Sequence, residues 1–280
     1  MRLKLVFLLT LSILVNFSFA QITEHQLEDL VLKGAKSMDD AYVKIDSLIK
    51  VSSTEDPMYD GLIMLRMEYG RKLGQLKTMN ADIDYAIAKF NKTGEFFGEK
   101  APPSAVSNML NYKAINQKIM GEFDSAEATF RKAILIDPEH ELLYNNLANT
   151  LIMNKKHQEA LDVLALDKSS EELETEYYIK ADAYYHLGEI DSATVYIKKY
   201  QEIERAAKDY AGHLLLGNIA IAKKQYKTAC DAFYLAQQTF NAFYTENVDE
   251  LKKAEDLAFW RSYLEQEKMA IEMEIHQNCP

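Results

Sequence analysis

The stretch GEFDSAEATFRKAILIDPEH, residues 121–140, decides the fold. Its first ten residues have a near copy in GEIDSATVYI, which begins at Gly188. Each copy joins a lone glycine, an acid and an apolar residue to Asp-Ser-Ala. A loop that cradles phosphate needs several glycines, and each phrase has one. A glycine that ends one helix in the left-handed conformation suits the pattern better. Asp124-Ser125 and Asp191-Ser192 are then the expected starters of the following helix. The phrase is predicted to be a turn between two helices.

Small residues give the stride. Ala126, Ala160, Ala193 and Ala229 are 34, 33 and 36 residues apart, the spacing of a solenoid. Phe130, Leu164, Ile197 and Phe233 each follow four residues later, on the same helical face. An earlier helix precedes each alanine and carries its own small residue: Ala114, Ala148, Ala181 and Gly217. Leu110, Tyr144, Tyr177 and His213 stand four before these. Small side chains on facing helices permit a close antiparallel hairpin, so all eight small positions are expected to pack pair against pair. Only 10 Gly and 5 Pro in 280 residues agree with long helices and short loops.

Helix pairs at this stride resemble the tetratricopeptide repeat (TPR) family. The strongest unit spans 107–140 and closes on Asp137-Pro138, where proline ends the second helix. Units near 141–167, 174–204 and 210–241 keep the small-residue pattern without the proline. The resemblance implies an all-α, right-handed superhelical solenoid of antiparallel helix pairs. It also implies a concave groove lined by the first helix of each pair. Carried over by helical phase, the groove positions are Asn111, Ile115, Lys118, Asn145, Asn149, Ile152, Tyr178, Asp182, Tyr185, Leu214, Asn218 and Ile221. Asparagine bonds a peptide backbone through both donor and acceptor, and tyrosine offers rigid contact area. Chaperone-binding members of the family grip a carboxylate with groove lysines. Asn145 and Asn149 suit that pattern, but Asn111 stands where a lysine is expected and Asp182 brings in an acid.

The flanks complete the organisation: 1–20 signal peptide, 21–100 helical region with a degenerate repeat, 101–245 core of about four pairs, 246–280 capping helix and tail. Arg2 and Lys4 precede an apolar run at 5–15, and Ser18-Phe19-Ala20 supplies small residues for a cut after Ala20. This is the layout of a secreted or periplasmic protein of bacterial type. No other stretch is apolar enough to span a bilayer. Ser37 opens an expected capping box, 57–93 reads as the degenerate repeat, and 94–103 as a loop or mild hinge. Leu251, Ala254, Leu257, Ala258 and Leu264 share one face of a C-terminal helix. That face either covers the exposed end of the solenoid or pairs with a partner, including its own copy in a homodimer. Cys230 and Cys279 can pair in an oxidising compartment; the alternative is one buried thiol and one free on the tail.

The remaining chemistry is sparse. Removing Arg2 and Lys4 takes the net charge from −11 to −13, which repels nucleic acid. Six histidines form no metal-spaced pair with one another or with cysteine. No cofactor, metal or catalytic set is expected. The expected role is a non-enzymatic scaffold that binds a protein or peptide, with a structural or sensory role through the C-terminal helix as the rival.

Overall fold

The structure, a computed structural model, describes residues 33–55, 57–96, 99–167, 174–253 and 255–280. The expected signal peptide and its cut lie outside the described residues. The chain is a helical solenoid. Helix α1 (Met38–Val51) is followed by five antiparallel pairs. These are α2 (Pro57–Leu73) with α3 (Leu76–Thr93), α4 (Ser104–Ile119) with α5 (Phe123–Ile136), α6 (Glu141–Met153) with α7 (His157–Leu164), α8 (Glu174–His186) with α9 (Ile190–Gln201), and α10 (Tyr210–Ala222) with α11 (Tyr226–Lys253). Helix α12 (Ala258–Asn278) ends the chain. Ser37 caps α1, its Oγ accepting the Asp40 N–H at 3.1 Å.

The turns inside the pairs are one structure repeated. Gly121, Lys155, Gly188 and Lys224 have φ of 80°, 60°, 81° and 58°. In each case the next residue's N–H donates to the carbonyl five residues back, at 2.8–2.9 Å: Glu122 to Gln117, Lys156 to Leu151, Glu189 to Tyr184, Gln225 to Ala220. That bond satisfies a carbonyl otherwise orphaned at the helix end. Glycine adopts the left-handed conformation freely, whereas each lysine holds it at a cost of about 1 kcal/mol. Asp124-Ser125 and Asp191-Ser192 do not cap the second helices. Helices α5 and α9 begin earlier, at Phe123 and Ile190, behind Glu122 and Glu189, whose side chains make no cap bond. The left-handed residue aims the chain directly into the helix, so Asp124 and Asp191 fall in the first turn, where an acid complements the helix dipole.

Packing follows the small residues. Ala114, Ala126, Ala148, Ala160, Ala181, Ala193 and Ala229 are fully buried, and Gly217 is buried as well. Within each of the last four pairs a bulky residue lies sixteen positions after the small one: Phe130 after Ala114, Leu164 after Ala148, Ile197 after Ala181, Phe233 after Gly217. The Phe233 ring sits directly on Gly217, where an added Cβ would lie 2.2 Å from Cε1. Burying each bulky side chain contributes about 2 kcal/mol.

Two segments depart from expectation. Residues 94–103 hold a minimal hairpin, β1 (Glu95–Phe96) paired antiparallel with β2 (Glu99–Lys100), in place of a loop or hinge. Phe96 is buried and stacks on Phe90 with centroids 4.7 Å apart, so this corner is part of the core. Helix α11 runs past the expected core boundary at 245 to reach 28 residues, about 42 Å. Helix α12 starts only at Ala258, and Ala258 itself is exposed while Leu257 and Leu264 are buried.

Gly217→Ala tests the packing. Helix propensity favours alanine by about 1 kcal/mol, but a methyl inside the buried Phe233 ring should cost about 1–3 kcal/mol. The expected net outcome is destabilisation in urea. Lys155→Gly, which relieves a left-handed lysine, should raise the midpoint.

Candidate functional site

The first helices of successive pairs pack on one another, α4 on α6, α6 on α8 and α8 on α10, while the second helices make no comparable contacts. The side with the shorter spacing is the inner one, so the first helices line a concave face. The twelve candidate groove residues divide there into two groups.

The upstream group surrounds a small cavity of about 220 Å³ between α6, α8 and α9. Asn145, Asn146, Asn149, Thr175, Tyr178, Ile179 and Tyr200 line it. Asn145 is 6% exposed; its Oδ1 accepts from the Thr175 hydroxyl at 2.9 Å, and its Nδ2 has no partner among the described residues. An unsatisfied buried donor costs about 1–3 kcal/mol. Lys118 donates to Asn149 Oδ1 at 3.0 Å. Burial lowers the Lys118 ammonium pKa to about 8, and it forms no ion pair among the described residues. Asn111 serves packing instead, accepting from Asn146 Nδ2 at 3.0 Å. Ile115 and Ile152 pack against the main core.

The downstream group is covered by α12. Phe259 packs on Gly121, where a Cβ would meet its ring at 2.6 Å, and edge-on to Phe123 at 5.5 Å. Leu264 and Ile271 are buried in a cluster with Leu76, Ala236 and Phe240, against which Leu214, Tyr210, Ile119 and Met120 pack. Further along, Ile275 and Cys279 join Leu214 and Ile221 against Phe233. The helix thus shields the last pair as a capping helix would, then continues along the concave face. Its N-terminal end reaches α3, where Asp256 accepts the Lys77 N–H at 2.8 Å. Its C-terminal end is tied to α11 by a Cys230–Cys279 disulfide, Cα atoms 5.5 Å apart. Closing that 49-residue separation removes about 4 kcal/mol of chain entropy from the unfolded state. Asn218 lies half-buried on α10.

Asp182 on α8 is 8% exposed, and its charge bears on Glu267 of α12. Burial raises Asp182 to about 6, although His186 Nε2 lies 3.6 Å away. Burial raises Glu267 as well, a bond from Tyr263 lowers it, and the Asp182 charge raises it further. Burial likewise raises the Tyr178, Tyr210 and Tyr263 hydroxyls, with Asp182, Asp209 or Glu267 nearby adding to the effect. Tyr185 faces Glu274. Sequence reasoning missed Asn146, Thr175 and Tyr200, which reach the cavity only through tertiary packing. Of the inward stripe of α12 it named Leu264 but not Trp260, Tyr263, Ile271 and Ile275, which continue it at three- and four-residue spacing.

Comparison with known proteins agrees with the fold. Tetratricopeptide repeat profiles match residues 114–140 and 129–162, so the chain carries such repeats. Protein STIP1 homolog from Dictyostelium discoideum is 30% identical over 168 residues, 56% of this chain and 28% of that protein. The chain thus spans about a quarter of that relative's length. A tetratricopeptide repeat protein from Parabacteroides merdae superposes with a TM-score of 0.55 at 12% identity, covering 88% of this chain and 99% of that one. The C-terminal part of a TPR repeat-containing protein from Cytophaga hutchinsonii gives 0.51 at 17% identity, covering 90% and 94%. At these identities the structural likeness concerns the fold. Among the described residues no helix is long and apolar enough to cross a membrane, and no cluster suits a metal ion.

The buried acids set a pH dependence. Both are raised in the folded state, so folding binds protons at Asp182 and Glu267, and the stability they allow falls as pH rises from near 4 through about 6. Asp182→Asn and Glu267→Gln should each raise the melting temperature at pH 7.5, and the gain over wild type should shrink towards pH 4.

Proposed function

We propose that this chain is a non-enzymatic interaction scaffold outside the cytoplasm, holding an extended peptide segment of a partner protein in the upstream half of its concave face. Tetratricopeptide repeats generally mediate protein–protein interaction, and the upstream wall has the chemistry for it. The observation that carries the reading is the unpartnered, buried Asn145 Nδ2 beside the Lys118–Asn149 bond. Both groups donate, so the ligand must bring acceptors, and an extended chain presents carbonyl oxygens at regular intervals. Tyr178 and Tyr200, with ring centroids 5.6 Å apart, supply apolar area to seat the side chains.

The location outside the cytoplasm is supported by the basic, apolar and small-residue order of the first twenty residues and by the disulfide, which persists in oxidising compartments. A homodimer through α12 has less in its favour. The apolar stripe of α12 is turned inward, and Met269 and Met273 are its exposed large apolar residues among those described.

A photo-reactive residue at Ile152, half-buried on α6 and expected to border the groove, should cross-link a partner in the native cell, whereas one at Leu135 on α5, 84% exposed, should not. Asn145→Ala and Lys118→Glu should abolish the Ile152 cross-link with circular dichroism unchanged. Cross-links only from Leu135 would reject the reading. The purified protein should begin at Gln21.

A further inference from the structure

The cavity between α6, α8 and α9 is built from side chains that other residues hold in place. Asn145 is fixed by the Thr175 hydroxyl at 2.9 Å, Asn146 by Asn111 at 3.0 Å and Asn149 by Lys118 at 3.0 Å. Tyr200 donates to Asp209 Oδ2 at 2.6 Å, and its ring lies against Gly212, where an added Cβ would meet Cε1 at 2.7 Å. Asp209 is itself anchored as the cap of α10, accepting from the Ala211 and Gly212 N–H groups. Walls held in this way are preorganised, so little ordering entropy opposes a ligand. The polar wall is amide. Asn145 is 6% exposed with its Nδ2 unpartnered among the described residues, and the bond from Asn146 Nδ2 to Asn111 leaves Asn146 Oδ1 to accept. The apolar wall is Tyr178, Ile179 and Tyr200, its two rings tilted by 55° with centroids 5.6 Å apart.

Each class of side chain meets these two walls differently. Lysine, arginine and tryptophan only donate, so they would set a second donor against Asn145 Nδ2. Phenylalanine and leucine fill apolar space but leave that donor orphaned. Carboxylates and amides accept, yet they give the rings and Ile179 no apolar partner. Among the described residues no charged side chain lines the cavity to pair with an acid. Histidine also accepts, but its smaller, more polar ring loses water without filling the space. A phenol satisfies both walls. Its oxygen accepts from Asn145 Nδ2, its proton goes to Asn146 Oδ1, and its ring packs edge-on or offset against Tyr178 and Tyr200. Size agrees, because about 220 Å³ exceeds the roughly 150 Å³ that admits benzene, leaving room for a hydroxyl. We propose that this cavity is a tyrosine pocket, taking the phenol side chain of a segment held on the upstream wall. The inference rests on the reading of that wall as a peptide surface and names the residue it selects.

The test titrates the full, disulfide-intact chain with p-cresol and with toluene, following the side-chain amide signals of Asn145 by NMR. Short, end-blocked glycine peptides carrying one tyrosine or one phenylalanine form the second arm. Addition of p-cresol should shift the Asn145 signals saturably, with affinity about tenfold above toluene, the value of one hydrogen bond to an otherwise orphaned donor. The tyrosine peptide should exceed the phenylalanine peptide by a similar factor. Asn145→Leu is close in volume, and the exposed Thr175 hydroxyl it releases keeps water as a partner. In that variant p-cresol and toluene should come within about twofold, with toluene still bound. Equal affinity for p-cresol and toluene in the wild-type chain, a comparison that needs no variant, would overturn the proposal. So would a preference untouched by Asn145→Leu, or binding of p-cresol without the tyrosine peptide, which would assign the pocket to a free phenol. The two readings fail separately. An Ile152 cross-link beside equal affinities rejects the tyrosine pocket alone, and a tyrosine preference without the cross-link rejects the cellular scaffold alone.

Discussion

A bulky side chain seated on a small one, sixteen residues apart within each of the last four helix pairs, is the contact on which the structure rests. It is closest at Gly217, where the Phe233 ring occupies the space of a missing Cβ. Ala114, Ala148 and Ala181 hold the same place in the earlier pairs. Because the small residue lies midway along the first helix, the second can approach without tilting away, and each pair becomes a flat unit. Flat units stack, and the tighter approach among first helices bends the stack towards them. The concave face is therefore a consequence of side-chain volume, and no residue needs to be placed there for it to form.

The turns matter as much as the packing, in a different way. Five closures of the same kind, at Gly74, Gly121, Lys155, Gly188 and Lys224, return the chain antiparallel within two or three residues. Lysine at two of them shows that the backbone conformation is imposed by the packed helices, with glycine an aid. The repeated phrase that is so visible in the sequence marks two of the three repeats where the aid is used.

Closure by α12 gives the concave face its function-bearing asymmetry. Upstream, the buried Asn145 Nδ2 lacks a partner among the described residues and Lys118 donates to Asn149; downstream, Leu264 and Ile271 of α12 are wholly buried, and the disulfide holds the end of the helix to α11.

Much of this was legible in the residues alone. The stride of Ala126, Ala160, Ala193 and Ala229 determined the helix pairs, since volume at a fixed helical phase dictates which faces meet. The left-handed turn followed from Gly121 and Gly188. The burial of Phe96, the length of α11 and the partners of Asn111 were not legible, because each depends on residues distant in the chain. Periodicity announces that α12 has an apolar face, yet it carries no information about the surface that face covers. Only the tertiary structure decided that the helix packs along α11 and reaches back to Gly121. The reason is physical: an amphipathic helix is attracted to apolar area wherever it lies, and the winning site is chosen by shape, reach and the tether at Cys230.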